Sequence, residues 1–201
     1  MKFDTRDLAL AAVFAALYAA GVILLAPVSF GVYQVRVADA LLPLSMIFGM
    51  PVAIGSGLGC LVANVYGGLG VVDIIGGTIA NFVACSLAWY VGRDGIARRF
   101  LGSFVETIVI TVIVGGYLAL IFEVPVEVGL FGVFVGSVVA INILGFALLE
   151  GLHRSGIAKN RLEGFHHKTR FYMKRSSFVK PIISSKSKPN ASNTWPNVEC
   201  K

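Results

Sequence analysis

Three ionisable side chains lie in a part of the chain that is otherwise apolar enough for lipid. Arg36 and Asp39 fall within residues 27–41, PVSFGVYQVRVADAL, and Asp73 follows a glycine-rich turn at residues 66–70. A charged group within a membrane span costs about 2.5 to 3.5 kcal/mol on insertion scales, so such groups are candidates for a functional site. Three neutral polar residues accompany them: Gln34 and Asn64 at the same level, and Asn81 deeper.

These side chains suit the recognition of a flat, uncharged heterocycle rich in hydrogen-bonding groups. The carboxylate of Asp39 or Asp73 can accept two N–H bonds side by side, as from a guanine-like edge, and amide side chains pair with both donors and acceptors. The rings of Phe30 and Tyr33 can cover the faces of such a ligand. The structural alternative is that Arg36 pairs with one of the two aspartates and that both aspartates cap helices. The two interpretations can coexist.

The sequence carries no pattern typical of an enzyme. It has no GxSxG, HExxH or P-loop motif, and its three cysteines form no CxxC pair. The histidines are confined to the C-terminal part of the chain: His153, His166 and His167. We therefore predict a chain that is not an enzyme, holds no metal and binds no cofactor of its own.

The composition indicates an all-α integral membrane protein. The chain is 56% hydrophobic and only 14% charged, whereas soluble domains carry about 25% charged residues. The apolar excess lies between residues 8 and 150, and glycine and proline divide it into segments. The predicted helical segments are residues 8–26, where Pro27 is expected to end the helix, and then residues 38–48, 51–66, 71–91, 105–122 and 128–149.

The distribution of Lys and Arg predicts how these segments cross the membrane, because cytoplasmic loops carry the excess of basic residues. Six spans place 16 of the 17 basic residues on one side. Joining residues 38–48 and 51–66 into one helix would instead set the N-terminus opposite the other basic segments. We therefore predict six helices with both termini cytoplasmic and Arg36 alone outside. Glu106 and Glu150 are then expected at the interface, near cytoplasmic helix ends.

Two stripes of alanine run along the first segment at a spacing of four residues. One holds Ala11, Ala15 and Ala19, and its neighbour holds Ala12, Ala16 and Ala20. Small residues at this spacing let another helix approach closely. Spacing alone favours packing within the chain, and docking to a partner membrane protein is the functional alternative.

The chain divides into a transmembrane domain, residues 1–152, and a basic tail, residues 153–201. Eleven of the 17 Lys and Arg residues follow residue 150. A basic segment beside a membrane domain is typical of contact with anionic lipid headgroups, so we predict no nucleic-acid partner. The end of this cytoplasmic tail is polar enough to be disordered.

The run from residue 16 to residue 44, ALYAAGVILLAPVSFGVYQVRVADALLPL, resembles the QueT-type family. These proteins are substrate-binding (S) components of energy-coupling factor (ECF) transporters, assigned to queuosine precursors. The residues that carry the resemblance are Leu17-Tyr18, PVSFG at 27–31, Gln34-Val-Arg36, Asp39-Ala-Leu41, Gly59-Cys60, Ala63-Asn64 and DIIGGT at 73–78. The resemblance is specific over residues 8–92. Asp39 replaces the usual Glu, and Asn81 stands about where the family often has Thr.

The resemblance implies a six-helix S component of the plasma membrane that binds a 7-deazaguanine-type substrate. It also implies a transmembrane T subunit and two ATPase subunits as partners, with ATP hydrolysed by those subunits. The implied substrate-binding residues are Phe30, Tyr33, Gln34, Arg36, Asp39, Asn64, Asp73 and Asn81, and the implied docking residues are Ala11, Ala12, Ala15 and Ala16. The alternatives are an S component for another vitamin-like ligand and a solitary secondary transporter or channel.

Overall fold

The computed structural model describes residues 4–31, 34–92 and 95–155, and this part of the chain is helical without strands. Its helices are α1 (Thr5–Leu24), α2 (Ala26–Ser29), α3 (Val37–Phe48), α4 (Met50–Gly67), α5 (Val71–Val91), α6 (Ile96–Ile121) and α7 (Val126–Arg154). Tyr33 and residues 156–201, with His166, His167 and nearly all of the predicted tail, lie outside the described residues.

Local signals in the sequence set most of the helix ends. Asp4 and Asp7 form a capping box at the start of α1. The positive φ of Gly49 (75°) separates α3 from α4, and that of Gly68 (70°) ends α4. Pro27 does not end α1 directly: α1 stops at Leu24, and the proline lies in the first turn of the short helix α2, where its missing N–H is tolerated.

The third helix is the least regular of the bundle. It is a 3₁₀ helix over Val37–Leu44 and an α-helix over Ser45–Phe48, and Pro43 lies inside it. At ~2.0 Å per 3₁₀ residue and ~1.5 Å per α residue, it is about 22 Å long. Among the described residues, five helices are long and apolar enough to cross a membrane, and α3 is shorter than these five. The count of six crossings and the side on which the termini lie therefore stay predictions.

The last two long helices extend beyond the predicted segments. α6 begins at Ile96 rather than at residue 105, and α7 continues to Arg154 rather than ending at residue 149. Arg99 on α6 donates to Glu150 on α7, with 2.6 Å between Nε and Oε1. This ion pair accommodates the charge of Arg99, which was predicted to lie in a loop over residues 93–99. Each helix also contains a π-helical stretch, at Thr111–Gly115 in α6 and at Val138–Gly145 in α7.

Two glycines of α4 let the backbones of α1 and α4 come into contact. A Cβ atom at Gly55 would lie 2.5 Å from the carbonyl oxygen of Ala11, and one at Gly59 would lie 2.6 Å from that of Ala15. Gly55 lies against Ala11, and Gly59 lies against Ala15. Because the residue numbers increase together along both helices, α1 and α4 run in the same direction. The chain therefore returns between them, and α3 is the element that makes this return.

Replacing Gly59 by alanine is expected to lower the free energy of unfolding by about 1 to 3 kcal/mol, because the added methyl group overlaps the backbone of α1. Gly116→Ala is the matched control, since a Cβ at this helical glycine meets nothing within 4 Å. Thermal unfolding in detergent measures both variants. Equal unfolding temperatures for the two variants would contradict the close contact between α1 and α4.

Candidate functional site

Arg36 lies directly before α3, and its guanidinium group is buried between three helices. Its Nη2 atom is 3.4 Å from Oδ1 of Asp73 on α5, and its Nη1 atom is 3.7 Å from Sγ of Cys60 on α4. The guanidinium carbon is 5.7 Å from the centre of the Phe30 ring, a distance at which a cation and a π system attract. Of the two ion-pair partners that the sequence left open, the structure thus pairs Arg36 with Asp73.

Each aspartate is held by a tyrosine. Tyr18 on α1 donates its hydroxyl to Oδ1 of Asp39 at 2.5 Å, and Tyr117 on α6 donates to Oδ1 of Asp73 at 2.8 Å. Neither aspartate makes a side-chain cap for its helix, so the capping interpretation is wrong for both. The carboxylates instead point into the bundle, where an aromatic hydroxyl group donates to one oxygen of each, and Oδ2 of Asp73 has no hydrogen-bond partner among the described residues.

The three predicted amide residues take different roles. Asn64 donates through Nδ2 to the backbone carbonyl of Asp73 at 2.7 Å, which fixes the start of α5 against the end of α4. Asn81 donates weakly to the carbonyl of Ser56, at 3.5 Å. Gln34 is buried, and its Oε1 atom has no hydrogen-bond partner within the described part of the chain.

Four of the predicted residues line one small cavity. The polar wall consists of Gln34, Arg36, Asp39 and Asn81, and the opposite wall consists of Ile110, Val114, Val133 and Ser137 from α6 and α7. The cavity volume is about 10 Å³, which is room for about one water molecule. Ligand pockets usually measure about 300 to 1,000 Å³, so a heterocycle can enter only if these walls move apart.

The remaining predicted residues surround this cavity without lining it. Phe30 stacks on Arg36, Asp73 neutralises Arg36, and Asn64 supports Asp73. Tyr33 was predicted from the same stretch and lies outside the described residues. Tyr18 and Tyr117 were not predicted as site residues, although a hydroxyl group within an apolar segment requires a hydrogen-bond partner.

Two polar atoms of the cavity residues lack hydrogen-bond partners in the described structure. They are Oε1 of Gln34, an acceptor, and Nε of Arg36, a donor. A buried polar group without a partner costs about 1 to 3 kcal/mol. A water molecule or a ligand that supplies the complementary donor and acceptor would recover this free energy.

The location of Glu106 differs from the one expected from the sequence. It was placed at the membrane interface, but the structure buries it completely, and Ser45 donates to its Oε1 atom at 3.3 Å. The reason is the early start of α6 at Ile96: residue 106 is ten residues into the helix, about 15 Å from its beginning. Oε2 has no hydrogen-bond partner among the described residues.

Glu106→Gln is expected to leave the unfolding temperature unchanged or to raise it. Glutamine still offers an oxygen to Ser45, and it removes the need to bury an ionisable group. Glu106→Ala, which deletes the acceptor and leaves a void, is the comparison variant and should unfold at a lower temperature. The unfolding temperatures of the two variants, measured in detergent, test this prediction. A Gln variant as unstable as the Ala variant would mean that the carboxylate itself is required.

The two alanine stripes of α1 face different surroundings. Ala11 and Ala15 pack against Gly55 and Gly59 of α4, so these two predicted docking residues are used for packing within the chain. Ala12 and Ala16 lie on the exposed side of α1, next to exposed Val13 and Leu17. The exposed stripe of Ala12, Ala16 and Ala20 is the part of α1 that a partner helix can reach.

Five apolar helices of membrane-spanning length around a buried charged cluster define a helical integral membrane protein, with a polar cavity between α3, α6 and α7. The chain belongs to the QueT transporter family, whose family model matches residues 8–154. This match confirms the resemblance seen in residues 16–44 and extends it through α6 and α7. No curated protein and no solved structure matches the chain.

Proposed function

We propose that this chain is the S component of an ECF importer and that it captures a queuosine precursor of the 7-deazaguanine type from outside the cell. One observation carries the proposal. In this member of the QueT transporter family, one buried cavity is lined by Gln34, Arg36 and Asp39, and Oε1 of Gln34 and Nε of Arg36 have no hydrogen-bond partner in the described structure. A guanine-type edge offers two N–H donors beside a carbonyl acceptor. Asp39 and Gln34 would each accept one N–H bond, and Nε of Arg36 would donate to the carbonyl oxygen.

The same proposal includes six crossings with both termini in the cytoplasm. Parallel packing of α1 and α4 supports it, because the chain must return between them. α3 makes this return beside α5: Arg36, just before it, pairs with Asp73 near the start of α5, and Gly49, just after it, lies against Trp89 near the end of α5. With the basic N-terminus and tail inside, the cavity residue Arg36 would lie towards the outer face, beside Asp73 near the start of α5.

The energy for uptake would come from partner subunits. A T subunit would dock on the exposed stripe of Ala12 and Ala16, where small side chains permit a close helix approach. Two ATPase subunits would hydrolyse ATP, so this chain needs no nucleotide site of its own. Its role is to bind the substrate and to present it to the complex.

Uptake assays separate this proposal from its alternatives. Cells that express the chain together with an ECF module should accumulate radiolabelled 7-deazaguanine, and cells that express the chain alone should not. Accumulation by the chain alone, driven by an ion gradient, would instead identify a solitary secondary transporter. A thermal-shift panel of deazaguanines and vitamins on the purified chain tests the substrate class. Stabilisation by a vitamin and by no deazaguanine would identify an S component for another ligand.

A further inference from the structure

The hydrogen bond between Tyr18 and Asp39 joins two helices at the cavity. Tyr18 is completely buried on α1, Asp39 is 3% exposed on α3, and the two residues are 21 positions apart in the chain. Their oxygen atoms are 2.5 Å apart, at the short end of the range for O–H···O hydrogen bonds. Such a bond restrains the rotation of the carboxylate through Oδ1, and the same side chain lines the cavity.

We propose that Tyr18 is a positioning residue for ligand recognition: it holds Asp39 so that one carboxylate oxygen, rather than two, is presented to the substrate. The inference rests on the proposed function, in which this cavity binds a neutral heterocycle. Because Oδ1 already accepts from Tyr18, Oδ2 is the carboxylate oxygen with the larger free acceptor capacity. The second acceptor is then Oε1 of Gln34, which is buried in the same cavity without a partner within the described structure.

This arrangement defines the substrate class more narrowly than a carboxylate alone. The ligand carries two N–H donors that are received by two different residues, and an acceptor that Nε of Arg36 can reach. Anionic ligands are disfavoured, because the cavity wall already holds the Asp39 carboxylate and Arg36 is paired with Asp73. Tyr18 thus acts on specificity through Asp39 without lining the cavity itself.

A double-mutant cycle on ligand affinity tests this role. Tyr18→Phe keeps the buried ring and removes only the hydroxyl group, and it should weaken 7-deazaguanine binding about tenfold. In the Asp39→Asn background, the same change should have almost no further effect, because the carboxylate that Tyr18 positions is gone. Tyr90→Phe, at a tyrosine that is 77% exposed on α5, is the matched control and should bind as the wild type does. Thermal unfolding of each variant shows that it is folded.

The outcomes separate the inference from the proposed function. If the wild type binds 7-deazaguanine and the effects of Tyr18→Phe and Asp39→Asn simply multiply, Tyr18 serves packing and the inference fails alone. Unchanged affinity in Tyr18→Phe would overturn it as well. If the wild type binds no deazaguanine at all, the proposed function fails and takes the inference with it.

Discussion

Replacing Arg36 by alanine should weaken binding of 7-deazaguanine about thirtyfold or more and lower the unfolding temperature. Arg36 lines the cavity and pairs with Asp73, whose side chain is fully buried. Removing one partner of a buried ion pair typically costs 3 to 5 kcal/mol, because the other charge is left without compensation. Separately, losing a charge-assisted contact between Arg36 and the ligand weakens the binding free energy by about 2 kcal/mol or more. Titration calorimetry and thermal unfolding measure the two effects.

If Arg36→Ala does not fold, a double variant can test the role of Arg36 in ligand binding instead. Arg36→Met together with Asp73→Asn removes both charges of the pair and retains much of the buried volume. Replacing a buried ion pair by apolar or neutral groups is often neutral for stability, so the double variant should unfold near the wild-type temperature. It should still bind 7-deazaguanine about thirtyfold more weakly than the wild type, or worse. Wild-type affinity in this variant would confine Arg36 to a structural role.

The second large effect is expected on transport rather than on binding. Ala12→Leu combined with Ala16→Leu should leave 7-deazaguanine affinity intact and should abolish ATP-driven uptake. Both alanines are exposed on α1, away from the cavity, and leucine there would hold a partner helix at a distance. Co-purification with the T subunit and radiolabelled uptake give the readout. Ala147→Leu, at an exposed alanine of α7, is the matched control and should assemble and import normally.

The neighbouring stripe provides the internal contrast. Ala11→Leu with Ala15→Leu should instead destabilise the chain itself, since these alanines face the glycines of α4 at backbone contact. Normal uptake by the Ala12 and Ala16 double variant would place the docking surface elsewhere. Loss of ligand binding in that variant, with its fold retained, would show that the exposed stripe of α1 also influences the cavity.

Hydropathy and turn residues were sufficient to predict most of the helices. The segment at residues 71–91 agrees with α5, and Gly49 separates α3 from α4 as expected. The start of α6 could not be predicted, because Arg99 looks like a loop residue until its partner Glu150, 51 positions away, is known. The burial of Glu106 likewise depends on a distant contact, with Ser45 of α3, 61 positions away. Sequence spacing carries no information on such distant pairs.

The sequence was sufficient to predict which charged residues belong to the candidate site, but it could not predict which of them contact each other. Arg36 stood out because its charge is rare in such surroundings, but whether Asp39 or Asp73 pairs with it depends on how α3 and α5 pack. Tyr18 was part of the family resemblance, but nothing in the sequence indicated that its hydroxyl group bonds to Asp39. The far wall of the cavity comes from ordinary apolar positions of α6 and α7, such as Val114 and Val133, which nothing in the sequence distinguishes from their neighbours.

The most direct test of the central claim is titration calorimetry of the purified chain with two closely related bases. 7-Deazaguanine and 7-deazaadenine have the same ring system, but their hydrogen-bonding edges carry opposite donor and acceptor patterns. The acceptors Asp39 and Gln34 and the donor Arg36 predict saturable binding of 7-deazaguanine and no heat with 7-deazaadenine. Equal binding of both bases, or no binding of 7-deazaguanine, would contradict the proposed recognition.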